Sequence, residues 1–196
     1  SGKDEMRNNF EKETRLLVGI DVGSTTTKIV ALDAESEREE YSGYERHHAK
    51  QLESVKKALS GLMEKFPKAR FALAFTGSGA RPIAKRLKAP FIQEVVANAV
   101  ALKREGRVLT SIELGGQDAK IIFFKEDENT KDLEIRDMRM NGSCAGGTGA
   151  FIDEIATLLN VPVEEFNALA QKGKCVYDIS GRCGVYAKPD IQPLLN

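Results

Sequence analysis

The first third of the chain alternates between short apolar runs and polar turns. Two apolar runs, Leu16–Ile20 and Thr25–Leu32, flank a turn that carries Gly23 and Ser24, and this pattern predicts a β-hairpin of buried strands. A third strand is predicted over Glu40–His47. Apolar residues at helical spacing then predict a helix that ends at Pro67: Leu52, Val55, Leu59, Leu62, Met63 and Phe66. A fourth strand (Phe71–Phe75) and a short basic helix (Ile83–Leu87) follow.

The same order begins again after a linking helix predicted over Gln93–Arg104. Three further strands and two helices are predicted: Val108–Leu114, Ala119–Phe124, Leu133–Met140, Phe151–Leu159 and a helix starting at Pro162. Each half thus has a hairpin with a glycine turn, a third strand and a helix, which indicates a structural repeat. The residues from Pro189 onward predict no closing strand or helix. We therefore expect the second repeat to be incomplete and the chain to be part of a longer protein.

Composition excludes several classes of protein. The 196 residues are 41% hydrophobic and 30% charged, and 29 basic residues balance 29 acidic ones, so a general nucleic-acid-binding role is disfavoured. No apolar run approaches the roughly 20 residues of a membrane span. Residues 1–14 lack the apolar core of a signal peptide and are interpreted as a disordered arm or a cloning remnant. Three cysteines do not make a disulfide framework, which favours a reducing, cytoplasmic location.

Two glycine-marked turns are candidates for binding phosphate. Turns without side-chain bulk let backbone N–H groups point at phosphate oxygens, and Gly23 and the pair Gly115-Gly116 suit this role. Asp21, at the end of a strand, is placed to hold Mg²⁺ directly or through water. The first turn and the strand after it also carry hydroxyl groups, on Ser24, Thr25 and Thr26, and a cation, on Lys28. The alternative is that both are ordinary hairpin turns and that Lys28 faces solvent.

Polar residues flank the second turn. Glu113 precedes it, and Gln117 and Asp118 follow it directly. A glutamine at this place could orient a water molecule that attacks a γ-phosphate. The chain has neither a P-loop motif nor the third glycine of a dinucleotide-binding fingerprint, so these nucleotide sites are not predicted.

The cysteines suggest a site for a soft ligand. Cys144 precedes Gly146-Gly147-Thr148-Gly149 near the start of a predicted helix, whose dipole favours a thiolate. Cys183 lies in a polar segment that we expect to be flexible, and Cys175 is interpreted as a spare thiol. Two ligands do not complete a four-coordinate iron–sulfur or zinc site. Either two chains share the site, or further ligands come from elsewhere.

The two adjacent histidines, His47 and His48, lack the spacing of metal ligands. They are interpreted as the solvated end of a strand.

Five motifs together resemble the ATP-dependent activators of 2-hydroxyacyl-CoA dehydratases and the related benzoyl-CoA reductase ATPase subunits, within the acetate kinase/Hsp70/actin superfamily. The resemblance covers nearly all of Leu16–Leu195. The motifs are Gly19–Lys28, Thr76–Gly79, Leu114–Lys120, Cys144–Gly149 and Ile179–Cys183. Glu113 departs from the pattern, since many members of the superfamily have aspartate there.

The resemblance implies an α/β fold of two ribonuclease-H-like lobes, over 15–92 and 93–196, with ATP or ADP and Mg²⁺ between them and the second lobe incomplete. Catalytic roles would fall to Asp21, Glu113 and Gln117. Nucleotide contacts would include Gly23, Ser24, Thr25, Thr26, Lys28, Gly77, Gly115, Gly116, Gln117, Asp118, Gly147, Thr148 and Gly149. It also implies a homodimer whose Cys144 and Cys183 residues hold one shared [4Fe-4S] cluster. A reduced ferredoxin or flavodoxin would supply electrons, and a 2-hydroxyacyl-CoA dehydratase-like enzyme would accept them.

Two other functions stay open from the sequence. A small-molecule kinase of the same superfamily would use the phosphate turns but leave the cysteines without a role. A non-enzymatic, nucleotide-gated scaffold would use the cysteines structurally or for zinc.

Overall fold

The computed structural model describes residues 14–106, 108–141, 148–181 and 183–195. The chain divides after Glu94 into two compact units, each built on its own sheet. None of the helices in the described part of the chain has the length and apolar character needed to cross a membrane.

The first unit contains a mixed sheet of four strands. Its elements are β1 (Arg15–Val22), β2 (Thr26–Asp33), β3 (Glu39–Arg46), α1 (Gln51–Lys65), β4 (Arg70–Thr76) and α2 (Arg81–Leu87). The strand order is β3-β2-β1-β4, in which β1 and β2 form an antiparallel hairpin and β4 runs parallel to β1. A parallel neighbour requires a crossover, and α1 provides it. The predicted hairpin, third strand and β-α-β order are confirmed.

Strict alternation along β1 builds the core of this unit. Every second side chain, from Leu16 to Val22, is at most 2% exposed, and Val55 and Leu62 of α1 pack against this face. The residues between them lie on the opposite face, because successive side chains of a strand point to opposite sides. This alternation places Asp21 on the face opposite α1, at the end of the strand.

The described part of the second unit contains a three-stranded antiparallel sheet and four helices. Its elements are α3 (Glu94–Arg104, beginning at the last residue of the first unit), β5 (Thr110–Leu114), β6 (Ala119–Glu126), β7 (Leu133–Met140), α4 (Gly149–Leu159), α5 (Phe166–Ala170) and α6 (Gly184–Ile191), with 3₁₀ turns at Val163–Glu165 and Gln192–Leu195. The strand order is β5-β6-β7. The predicted strands and the helix over Phe151–Leu159 are confirmed.

The expectation that no helix closes the chain is wrong, because α6 occupies Gly184–Ile191. Pro189 lies inside this helix, where it removes one backbone hydrogen bond. Tertiary contacts offset that loss: Lys188 forms an ion pair with Glu154 of α4, and the Asp190 carboxylate accepts the N–H of Ser180. The local sequence therefore did not predict an element that long-range contacts stabilise.

The turns that follow β2 and β6 are alike in detail. Asp33 and Asp127 begin them, and each carboxylate accepts N–H groups of residues two and three positions later. Glu37 and Lys131 adopt left-handed backbone angles at the same place in each turn. The structural repeat predicted from the sequence thus extends to the individual hydrogen bonds of the connecting turns.

Candidate functional site

The turn between β1 and β2 is closed by one backbone hydrogen bond. The N–H of Gly23 donates to the carbonyl oxygen of Thr26 at 2.9 Å. Cross-strand register sets Asp21 opposite Lys28, and their side chains form an ion pair at 3.1 Å. Lys28 therefore does not simply face solvent. It forms an ion pair with the carboxylate that is the candidate magnesium ligand.

The end of β4 supports this turn from the side. Gly77 has a φ of 98°, and a Cβ atom there would lie 2.4 Å from the Val22 carbonyl oxygen and 2.5 Å from Asp21 Oδ1. The N–H of Gly79 donates to the same Val22 oxygen at 2.8 Å. Only glycine satisfies both the backbone angle and the space at position 77. Gly77 therefore packs beneath Asp21, and its predicted contact with nucleotide stays a prediction.

His47 also supports the first turn, and its interpretation as a solvated strand end is wrong. The side chain is buried, and its Nε2 atom lies 2.9 Å from the carbonyl oxygen of Gly23. The backbone N–H of His47 donates to the carbonyl oxygen of Thr25 at 3.1 Å. The chain turns sharply after β3 and carries the imidazole inward. Nothing in the local pattern of His47-His48 distinguishes the buried ring from its exposed neighbour.

The turn between β5 and β6 repeats the first geometry. The N–H of Gly115 donates to the carbonyl oxygen of Asp118 at 2.7 Å, and register sets Glu113 opposite Lys120. The Glu113 carboxylate lies 3.5 Å from Lys120 Nζ and accepts a hydrogen bond from Asn98 Nδ2 at 3.0 Å. Lys120 is buried, whereas Lys28 is half exposed.

The pairing of Lys120 with Glu113 was not predicted from the sequence. A signal for it was present: a carboxylate, a glycine turn and a lysine seven positions after the carboxylate occur in both Asp21–Lys28 and Glu113–Lys120.

The start of α4 supports the second turn. The N–H groups of Gly149 and Ala150 donate to the carbonyl oxygens of Gly115 and Gly116, at 3.0 and 2.7 Å. Thr148, the N-cap residue of α4, is fully buried. The first amides of α4 therefore hold the turn in place. The predicted nucleotide contacts of Thr148 and Gly149 stay predictions.

Other predicted binding residues lie at the surface of their turns. Ser24, Gln117 and Asp118 are exposed, and Thr25 and Thr26 are partly exposed. Gln117 therefore has the access to solvent that its predicted role requires.

Cys183 is the N-cap residue of α6 and is half buried. The N–H groups of Tyr186 and Ala187 donate to its carbonyl oxygen, both at 3.1 Å. Cys175 is exposed, and its hydrogen bond to Tyr177 raises the pKa of that phenol. Cys144 and Gly147 lie outside the described residues. Within those residues, no group of three His, Cys, Asp or Glu side chains is arranged to hold a metal ion.

Paired strand–turn units of this kind, each with a terminal carboxylate and a glycine turn, define an α/β protein with the fold of the actin-like ATPases. Component A of (R)-2-hydroxyglutaryl-CoA dehydratase from Acidaminococcus fermentans has this fold, with a TM-score of 0.77 and 27% identity over 93% of this chain and 68% of that one. The activator of 2-hydroxyisocaproyl-CoA dehydratase from Clostridium difficile, solved with bound ADPNP, gives the same TM-score and identity over 92% of this chain and 65% of that one.

The model of the BadF/BadG/BcrA/BcrD ATPase family matches residues 18–195, and the chain belongs to that family. A benzoyl-CoA reductase polypeptide from Thauera aromatica is 25% identical over 182 residues, which are 90% of this chain and 62% of that protein. The resemblance inferred from the five motifs is confirmed, as is the fold class.

Proposed function

We propose that this chain contributes nucleotide and cluster ligands to an activator that couples ATP hydrolysis to low-potential electron transfer toward a 2-hydroxyacyl-CoA dehydratase-type enzyme. The family is one of ATPases, and its dehydratase-activating members supply the precedent for the partner. The redox part of the proposal rests on the position of Cys183 at the start of α6. A kinase of the same fold has no use for a thiol there.

Each turn contributes to nucleotide binding in this proposal. Asp21 would hold Mg²⁺ directly or through water, and Lys28, which lies beside it, would be available to the phosphates. Ser24 and the glycine turns offer backbone N–H groups to phosphate oxygens. Gln117 is exposed within the second turn and orients the attacking water.

The surroundings of Cys183 suit an iron–sulfur ligand. Iron–sulfur clusters are held by cysteine thiolates, and the positive end of a helix dipole stabilises a thiolate at its first residues. Cys183 is half buried, which partly shields the residue from water. We propose that Cys144 and Cys183 of two copies of the chain together hold one [4Fe-4S] cluster, which supplies one-electron chemistry when bound. A reduced ferredoxin or flavodoxin is the proposed donor, and the cytoplasm the proposed location.

The test is the iron and acid-labile sulfide content of the anaerobically purified protein. One cluster shared by two chains gives about two iron and two sulfide per chain. We expect Cys144→Ser and Cys183→Ser each to abolish the cluster. Cys175→Ser is the matched control because Cys175 lies in the same stretch of chain but is exposed, and this variant should retain the iron.

Other metal contents would contradict the redox proposal. Failure of the wild-type protein to bind iron, even after reconstitution, would favour the kinase. Stoichiometric zinc in place of iron would favour the scaffold.

A further inference from the structure

His47 directly follows β3, which is an edge strand, yet it makes four hydrogen bonds. Its ring bonds Gly23 through Nε2, and its Nδ1 accepts the N–H of Ala49 at 3.1 Å. Its backbone N–H donates to Thr25, and its carbonyl oxygen accepts the N–H of Lys50 at 2.7 Å. Because an N–H group points at Nδ1, the ring proton must be on Nε2. The neutral imidazole therefore donates to the carbonyl oxygen of Gly23.

The backbone after His47 is in an unfavourable conformation. His48 and Ala49 have φ angles of 46° and 63°, in the left-handed region that residues with a Cβ atom rarely adopt. Backbone strain of this kind persists only where surrounding contacts hold it. Here the strained turn directs the imidazole inward beneath the hairpin, where His47 is 3% exposed.

The bond to Gly23 fixes the direction of an amide. In a planar trans peptide the carbonyl and N–H groups point in opposite directions. With the Gly23 carbonyl held toward His47, the N–H of Ser24 is directed away from the buried ring. Ser24 is exposed, so this N–H faces the side of the turn from which an anion would approach.

In the second hairpin the corresponding carbonyl oxygen is also held by a hydrogen bond, but the donor comes from a different part of the chain. Gly115 occupies the position of Gly23, and its carbonyl oxygen is held by the N–H of Gly149 at the start of α4. At the first turn, the Gly23 carbonyl oxygen is bonded instead by the imidazole of His47, which lies just before the start of α1.

We propose that His47 is a positioning residue for phosphate binding: by holding the Gly23 carbonyl, it keeps the turn Gly23–Thr26 in the conformation that presents the Ser24 amide to a nucleotide phosphate. The proposal rests on the proposed function, since it requires that this turn bind ATP. His47 itself does not touch the nucleotide.

Two conservative substitutions distinguish the two hydrogen bonds that the imidazole ring makes. The side-chain amide of His47→Gln reaches as far as Nε2 and can still donate to Gly23. The amide of His47→Asn reaches only as far as Nδ1, so it can accept from Ala49 but loses Gly23. The exposed neighbour gives a matched control, His48→Asn, because asparagine tolerates the left-handed angle at that position.

The measurement is the Kd for a non-hydrolysable ATP analogue with Mg²⁺, alongside the melting temperature of each variant. We expect His47→Asn to bind about tenfold more weakly, the effect of one lost hydrogen bond at the upper end of its usual range. His47→Gln and His48→Asn should bind within about twofold of wild type.

Each outcome bears on one proposal. A wild-type protein that binds no nucleotide overturns the proposed function. A wild-type protein that binds, with His47→Asn unchanged, overturns the role of His47 alone. Equal losses in the Asn and Gln variants also overturn it, because the Gly23 bond would then not be the feature that matters. If His47→Asn does not fold, His47→Ala takes its place because it also lacks the donor to Gly23: about tenfold weaker binding supports the role, and unchanged affinity overturns it.

Discussion

The hairpins β1–β2 and β5–β6 have the same local chemistry but are supported by different parts of the chain. Both run from a carboxylate through a glycine turn to a lysine directly across the strand pair. In the first, Gly77 and His47 hold the turn, and the ion pair is half exposed. In the second, the start of α4 holds the turn, and Lys120 is buried. Strand register within each hairpin thus sets the positions of its carboxylate and lysine. The residues that hold its turn lie elsewhere in the sequence.

This difference has a consequence for how each turn tolerates change. The first turn depends on one side chain and one glycine, which single substitutions can remove. The second depends on backbone N–H groups of a helix, which only a substitution by proline removes directly. We therefore expect the first hairpin to be the more sensitive of the two to point mutation.

The two hairpins should differ most in how much stability they lose when the glycine packed against each turn is replaced by alanine. Gly77→Ala forces a left-handed angle and places Cβ 2.4 Å from the Val22 oxygen, so we expect a loss of about 3 kcal/mol in the free energy of unfolding. Gly149→Ala brings Cβ only to 3.3 Å from the Gly116 Cα, and alanine improves helix propensity, so its net effect should stay within about 1 kcal/mol. Chemical denaturation of both variants measures the difference.

Gly106→Ala separates strain from crowding in this prediction. Gly106 has a φ of 94° but no atom within 4 Å of its hypothetical Cβ. Its substitution should cost about 1–2 kcal/mol from backbone strain alone. If Gly77→Ala were no more destabilising than Gly106→Ala, the close packing of Gly77 against Val22 would not be a real constraint.

Much of the fold could be predicted because its signals are local. An apolar run identified β1, and glycine turns between apolar runs identified both hairpins. Strand register then places Asp21 and Glu113 at the ends of their strands without further information.

The features that the sequence did not predict depend on distant contacts. His47 and His48 are chemically identical neighbours, and only the turn after β3 decides which ring is buried. The helix α6 contains a proline and is stabilised by contacts of Lys188 and Asp190 outside it. In both cases the deciding interaction joins residues that no periodicity relates.

The two cross-strand lysines give a second test of the comparison. Lys120→Met leaves the Glu113 carboxylate without its buried cation, and we expect a loss of about 2 kcal/mol in the free energy of unfolding. Lys28→Met breaks a solvent-screened pair and should cost under about 1 kcal/mol. Urea denaturation at pH 7 in low and high salt measures both. Equal costs would mean that burial does not distinguish the hairpins.

The smallest expected effect concerns the two aspartate turns that follow the hairpins. Hydrogen bonds from Ser36 and then Glu35 lower the pKa of Asp33, and the N–H groups of Thr130 and then Asn129 lower the pKa of Asp127. A carboxyl whose folded pKa is depressed stabilises the fold above its unfolded pKa of about 3.9. That contribution disappears as the pH falls through the lower, folded value. Substitution by asparagine removes the titrating group from each turn.

The stability advantage of wild type over Asp33→Asn and Asp127→Asn should therefore shrink as the pH is lowered from 6 through about 3.9 and below. The change should be larger for Asp33, because its Oδ1 accepts three hydrogen bonds and that of Asp127 accepts two. Denaturation of the three proteins at matched pH values measures it. A pH-independent difference would show that these turns are held by backbone geometry alone. A larger change for Asp127 would reverse the order that the hydrogen bonds imply.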